Sequence, residues 1–267
     1  MGCGLAALMA LTRLVTRRVE KPWGRRLLWL GFETVAEGEG KIGEIWYERP
    51  DGAAQELLVK YLFTDEKLSV QVHPDDARAR RLGLPRGKSE AWLVLDAEPG
   101  ASIGLGLKRE MAPEALRAAA LDGSIEDEME WPQVAGGDLF FLPAGTIHAL
   151  GAGITVIEVQ QATDVTYRLY DYGRPRELHV DAGVEAAHAR PYDAQQAPVR
   201  IAGGRTALVH GPAFVLERWS GAREEQRPAS AERPLWLVSV SGSASADGTP
   251  IGLSGGLARP GVRFGLR

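Results

Sequence analysis

Apolar positions along the chain fall into short runs carrying the β-branched and aromatic residues that fit a pleated surface: EIWY at 44–47, ELLVKYLF at 56–63, LSVQV at 68–72, AWLVL at 91–95, SIGLGL at 102–107, LFFL at 139–142, TVIEV at 155–159 and TYRLY at 166–170. Gly, Pro and Asp punctuate the gaps. Many short strands without long helices between them predict an all-β sandwich or barrel. One helical insert interrupts the series, at about 108–130. In APEALRAAALDG at 112–123, Pro113 suits the first turn, Glu114 complements the positive end of the helix dipole, and Gly123 closes the C-terminus. A second short helix is expected over 125–129.

From about Pro191 the chain becomes richer in Ala, Gly, Ser and Arg, and its strand patterns weaken to FVLERW at 214–219 and LWLVSV at 235–240. This change in texture divides the chain into an N-terminal extension at 1–19, a main domain at 20–190 and a smaller β domain at 191–267, with glycines such as Gly242, Gly248 and Gly255 at its turns. The apolar start, MGCGLAALMAL, lacks the positively charged lead and small-residue cleavage site of a signal peptide and reads as a frayed extension.

At 267 residues and 45% hydrophobic content the chain can bury a sizeable core. A formal net charge of −4 provides no field for a nucleic-acid backbone, so nucleic acid is not the expected partner. A small anionic metabolite needs only a local cluster of Lys and Arg. One cysteine, Cys3, excludes a disulfide framework and a thiolate-rich zinc site, and suits a reducing cytoplasm. No stretch approaches the roughly 20 apolar residues of a membrane span.

The residues that can carry chemistry lie at strand ends. In DLFFLPAGTIHAL at 138–150, the apolar run reads as a strand, Pro143 and Gly145 as a tight turn, and His148 as the opening of the next strand. In SVQVHP at 69–74, Gln71 and His73 are two apart and share a face, while Val70 and Val72 point the other way. Glu90, at the entry to the run 91–95, can reach the same pocket from an antiparallel neighbour. One amide oxygen, two imidazoles and a carboxylate make an N/O donor set for a divalent ion such as Zn²⁺, Mn²⁺ or Fe²⁺ that leaves a position open for substrate. His179, His188 and His210 lack such company and read as structural or exposed.

The spacing Gly137-x5-Pro143-x-Gly145-x2-His148 resembles the second motif of the cupin β-barrels. Together with QVHP at 71–74, KSE at 88–90 and QQATDVTYR at 160–168, it is similar to the class I, cupin-type mannose-6-phosphate isomerases, in their shorter bacterial form. The likeness runs from KPWG at 21–24 to RELH at 176–179. It implies a jelly-roll-like cupin barrel, one zinc ion held by Gln71, His73, Glu90 and His148, and Arg168 as an active-site arginine. Lys88 falls where the family has a lysine considered for proton transfer or ring opening. The histidine that longer members place before that lysine is Gly87 here, so its role does not transfer. The small C-terminal domain is expected to be cupin-like without metal ligands.

The implied reaction interconverts mannose 6-phosphate and fructose 6-phosphate through an enediol. It needs a Lewis acid at the O1/O2 edge and a base that moves a proton between C1 and C2. Arg168 can neutralise either the enediolate or the phosphate. Lys88 can act as the base if its pKa is lowered, or simply bind phosphate. Glu158 is a proton carrier or a partner for His148, and Asp164 a similar partner for Arg168. Ser69, Trp23 and Lys21 complete the candidate lining. Three other readings compete: a cupin dioxygenase with iron, a non-catalytic sugar-binding or regulatory cupin, and an isomerase of another sugar phosphate. The dioxygenase does not explain Lys88, Arg168 and the Gln-x-His pair as a set, and a binding module has no need of both a metal and an arginine.

Overall fold

Residues 11–28, 32, 35, 37–201, 203–226, 235–252, 255–258 and 263–266 are described by the computed structural model. The alternating runs become strands and their punctuation becomes turns. In chain order the main part comprises β1 (Leu11–Arg13), β2 (Val15–Arg25), β3 (Ile42–Glu48), β4 (Leu57–Thr64), β5 (Val70–Val72), α1 (Asp76–Arg81), β6 (Glu90–Ala97), β7 (Ile103–Leu105), α2 (Pro113–Asp122), α3 (Ile125–Glu128), β8 (Leu139–Leu142), β9 (His148–Leu150), β10 (Ile154–Gln161), β11 (Tyr167–Tyr170) and α4 (Val180–Ala186). Beyond it follow β12 (Val199–Ile201), β13 (Arg205–His210), β14 (Val215–Trp219), β15 (Arg223–Gln226), β16 (Leu235–Leu237), β17 (Ala244–Ala246), β18 (Thr249–Ile251), β19 (Gly256–Ala258) and β20 (Arg263–Leu266).

Two sheets carry the main part: six strands in the order β2-β3-β4-β10-β6-β8, and four in the order β11-β5-β9-β7. From β4 to β11 successive strands alternate between the sheets, so each connection carries the chain across the gap. The crossings are made by turns such as the one holding Gly145 (φ +90), a backbone conformation that favours glycine. A Cβ there would also lie 2.7 Å from the His188 ring. Because the crossings are turns, loops and helical segments rather than continuous bent strands, the sheets stay separate. The protein is mostly β, as expected, but among the described residues no closed barrel forms, which corrects the sequence-based expectation of a barrel.

Register fixes what each face carries. β10 lies at the middle of the larger sheet, buried along its whole length, and pairs Gln160 with Glu90 and Leu58, and Glu158 with Trp92 and Lys60. Residues of odd number there, Ile157 and Val159, join Tyr47, Val59, Tyr61, Phe63 and Phe141 in an apolar cluster on the outer face. Their even-numbered neighbours point between the sheets. There Leu62, Trp92, Val94, Leu142, Ile154 and Val156 pack against Leu68, Ile103, Leu105 and Leu150 at one end of the gap, leaving the other end to polar groups. On the smaller sheet, Val70, Val72, Ala149, Tyr167 and Leu169 pack outward against helices α2 to α4.

The helical insert forms as expected: Pro113 begins α2, and Gly123 closes it in the left-handed region at φ +86. α1 and α4 were not anticipated; α1 is capped by Asp75, whose Oδ1 accepts the Arg78 N–H at 2.6 Å. Residues 11–19, assigned by pattern to an extension, lie in β1 and β2, where exposed Arg17 and Arg18 suit an edge strand. The signal-peptide question concerns residues 1–10 and lies outside the described residues.

Candidate metal centre

Four strands deliver the central side chains. Gln71 on β5 is the direct antiparallel partner of His148 on β9 and of Arg168 on β11. His73 follows β5 by one residue, and Glu90 opens β6 from the opposite sheet. The ligand atoms of His73, Glu90 and His148 lie within 4.8 Å of one another, and each of these residues is 1% exposed.

Hydrogen positions follow from the partners. His73 Nδ1 lies 3.0 Å from the Val165 carbonyl oxygen and His148 Nδ1 2.9 Å from that of Thr146. A carbonyl only accepts, so both Nδ1 atoms carry the proton and both Nε2 atoms present lone pairs. Those lone pairs face the carboxylate of Glu90, with His73 Nε2 at 3.5 Å from Oε2 and His148 Nε2 at 3.0 Å from Oε1. His73 Nε2 and both Glu90 oxygens are buried without a hydrogen-bond partner. Orphaned acceptors pointed at one another would be costly by themselves. A divalent cation satisfies all of them, and imidazole, carboxylate and amide oxygen fit its coordination chemistry. Gln71 presents Nε2 to His148 Nε2 at 3.2 Å, and its Oε1 accepts from the Ser69 hydroxyl at 3.2 Å. Ligation by Gln71 needs the amide turned over, an exchange of similar shape that Ser69 tolerates because a hydroxyl both donates and accepts.

Burial, and then the Lys88 charge, lowers the His73 pKa to about 3, so its ring is neutral at pH 7. Burial works against the Glu90 carboxylate, but neighbouring positive charge and the two imidazoles outweigh it and hold its pKa well below the usual range. With His73 neutral, the lasting charge is that of Lys88, buried with Nζ 3.7 Å from Glu90 Oε2. Gly87 lets this segment lie close to the turn before α1: a Cβ there would be 2.6 Å from the Asp75 carbonyl carbon and 2.7 Å from the Pro74 oxygen.

A cavity of about 380 Å³ opens beside this cluster, lined by Lys21, Trp23, Ser69, Gln71, Lys88, Glu158, Asp164 and Arg168 among others. Every remaining sequence candidate therefore borders one cleft. Their partners differ from expectation in two cases. Glu158 does not touch His148: its Oε2 accepts from Trp92 Nε1 at 2.9 Å, and Oε1 lies 3.0 Å from Lys60 Nζ. The Trp92 ring stands edge-on to His148 at 5.4 Å, so an indole lies between Glu158 and that imidazole. Arg168 donates from Nε to the Glu177 carbonyl at 2.8 Å, and Asp164 lines the cleft without an ion pair to it.

Lys60 and Glu44 were missed. Lys60 Nζ sits between Glu158 and Glu44 Oε2 (3.5 Å), and Lys21 Nζ lies 3.3 Å from Glu44 Oε1. Burial opposes the Lys60 charge, yet Glu158 and Glu44 outweigh it and raise its pKa. Burial also pushes the Glu158 carboxyl up, with Glu90 adding to it, against the pull of Lys60. The signal was present: a lysine inside the apolar run LLVKYLFT, and a glutamate two before Trp46, both pointing to the buried face.

Two sheets with a polar gap and a buried His–Glu–His cluster that could hold a metal ion define the class of β protein to which the chain belongs. No family model matches the chain. A mannose-6-phosphate isomerase of Streptococcus mutans is 38% identical over 194 residues, which is 69% of this chain and 60% of that protein. The mannose-6-phosphate isomerase ManA of Bacillus subtilis is 36% identical over 157 residues, 54% of this chain and 50% of its own length. The matches thus span between half and two thirds of these relatives. The crystal structure of a mannose 6-phosphate isomerase from Bacillus subtilis shares the fold with a TM-score of 0.74 at 24% identity, covering 96% of this chain and 98% of that one. A zinc-bound mannose 6-phosphate isomerase does so at 0.67 and 15% identity, over 97% of this chain and 94% of that chain. The chain is a homologue of the mannose-6-phosphate isomerases.

Proposed function

We propose that this protein is a metal-dependent aldose–ketose isomerase that interconverts mannose 6-phosphate and fructose 6-phosphate. The observation that carries the reading is the pair of buried imidazole lone pairs and the unprotonated carboxylate converging beside a polar cleft. Gln71, His73, Glu90 and His148 would hold one zinc ion per chain, a reading supported by their donor types and by the zinc-bound isomerase of like fold. Bound there, the ion would supply Lewis acidity toward the sugar's carbonyl end.

The chain's own groups supply the rest. Two of them can hold or move a proton: Lys88 at its Nζ, and Glu158 at a carboxyl whose pKa burial and the neighbouring Glu90 raise. Lys60 and Trp92 fix the Glu158 oxygens in place. Trp23, Leu62 and Leu68 give part of the cleft an apolar wall, which limits water around the reacting carbons.

The alternation of strands between two sheets favours a cupin jelly roll left open at its edges, with 20–190 as the catalytic domain and 191–267 as a smaller cupin-like unit without metal ligands. The partner is a free hexose phosphate. The reducing-compartment composition supports a cytoplasmic enzyme, and among the described residues no helix is long and apolar enough to cross a membrane.

The test is to load the protein with zinc, supply mannose 6-phosphate and follow fructose 6-phosphate with and without chelator. No conversion of any hexose or pentose phosphate would remove the isomerase reading. Conversion that survives His148→Ala would leave the activity but move its site.

A further inference from the structure

Asp171, 2% exposed, follows the strand that carries Arg168 and receives two guanidinium groups. Arg174 reaches Oδ1 from Nε (3.1 Å) and Nη2 (2.7 Å), and Arg176 bonds Oδ2 from Nε and Oδ1 from Nη2, both at 2.6 Å. The two arginines then diverge. Arg174 gives a further bond to the Lys67 carbonyl at 2.8 Å and has Glu66 at 3.9 Å. Arg176 lines the cleft together with Gln71, Arg168 and His179. Its edge held by Asp171 fixes the plane of the fork, leaving the Nη1 donors for whatever occupies the cavity.

Charge at this end of the cleft is out of balance. One buried carboxylate faces two arginines, and Arg168 adds a third positive group whose Nε meets only a neutral carbonyl. Of the acidic residues lining the cleft, Glu44 and Glu158 are already engaged with Lys60, and Asp164 makes no ion pair to Arg168. Exposed Glu177 stands 3.9 Å from His179 Nε2. His179 adds a neutral donor: its Nδ1 accepts the Arg168 N–H at 3.4 Å, so Nε2 carries the hydrogen. Planar forks and an imidazole N–H on a surplus of positive charge match a tetrahedral dianion.

We propose that Asp171 is a positioning residue that presents Arg176, beside Arg168 and His179, as the seat of the substrate's phosphate group. Naming that anion as the sugar's phosphate rests on the isomerase reading; the anion seat itself does not. With the phosphate there, the carbonyl end of the sugar extends toward Gln71 and Lys88, so this seat sets the direction in which the substrate lies.

The experiment compares wild type, Arg176→Gln, Asp171→Asn and the double variant, all zinc-loaded. It measures the Kd of inorganic phosphate by calorimetry and KM and kcat with mannose 6-phosphate. Loss of a charged bond predicts that Arg176→Gln weakens phosphate binding and raises KM on the order of 10- to 100-fold. kcat should change much less. Asp171→Asn should produce the same split, and the double variant should be no worse than the more impaired single one, because one residue acts through the other. Arg176→Gln and Arg176→Lys keep the test open if Asp171→Asn does not fold, with the lysine variant expected to recover part of the affinity. Phosphate affinity and KM unchanged in Arg176→Gln would overturn the seat, whatever the turnover. Losses that add fully would overturn the role of Asp171. Phosphate binding that depends on Arg176 in a protein that isomerises nothing would keep the seat and remove the isomerase reading.

Discussion

Gln71 and His148 face one another across β5 and β9 with their side-chain nitrogens 3.2 Å apart, an arrangement in which the amide donates to the imidazole lone pair. Holding an ion asks that amide to present its oxygen, and the group behind it is the hydroxyl of Ser69. Ser69→Ala should lower zinc affinity about 10-fold, the lower end of the range for outer partners of metal ligands. Competition with a chromophoric chelator measures it, and an unchanged affinity would show that Ser69 does not orient the amide.

Binding to the folded state alone stabilises it. At free zinc about 100 times the Kd this amounts to about 2.7 kcal/mol, which for a chain of this size corresponds to a melting temperature higher by about 5–10 °C. Calorimetry should show this rise in wild type and lose it in His148→Ala. A His148→Ala protein that still gains stability from zinc would place the ion elsewhere.

Lys60 is the cation between Glu44 and Glu158, and its side chain is 8% exposed. Removing the charge while leaving the shape, as in Lys60→Met, strands two buried carboxylates. Breaking a buried pair this way costs about 3–5 kcal/mol. Urea unfolding should show the midpoint fall by that free energy divided by the slope, with the slope itself unchanged. A loss below about 1 kcal/mol, the usual size for an exposed pair, would mean that water reaches this network.

Glu44 gives the protein a defined acid limit. Burial alone would raise its pKa, but Lys60, Lys21 and the Trp46 indole outweigh it and bring it from 4.5 to about 2. The folded state therefore holds the anion more tightly than the unfolded chain does. Its contribution, on the order of 3 kcal/mol, is present in full above pH 4.5 and is lost as the pH falls toward 2. Glu44→Gln should flatten the stability profile between those limits, as read from denaturant unfolding at stepped pH. A profile equally steep in the variant would assign the loss to other carboxylates.

Much of this was legible because the relevant signals are local. Pro143 and Gly145 mark a turn, so His148 starts a strand; Gln71 and His73 share a face because strands repeat every two residues; Pro113 and Gly123 bracket a helix. The centre drew on such positions and came out as a cluster. Lys60 and Glu44 stand out as charges inside otherwise apolar runs, but their pairing with one another and with Glu158 depends on strand register rather than on any local pattern. Glu158 was placed correctly on its strand, but its partner depends on the register with Trp92, which no local rule specifies. The N-terminal edge strand was obscured by the charges that suit an edge, and closure of the barrel is a matter of strand bending that composition does not record.

The polar gap has a cost elsewhere in the molecule. A sheet whose inner face carries Glu44, Lys60, Glu90 and Glu158 has surrendered part of the surface that would ordinarily hold it together. The outer face makes up the difference, with Tyr47, Tyr61, Phe63, Phe141, Ile157 and Val159 gathered under Leu208, Val209 and Phe214 of the C-terminal region, and Phe141 meeting Phe214 edge to face at 6.2 Å. The described part of the tail is thus the opposite wall of the main hydrophobic core. Cutting the chain near residue 190 would uncover an aromatic surface, and the first thing lost by that excision is solubility.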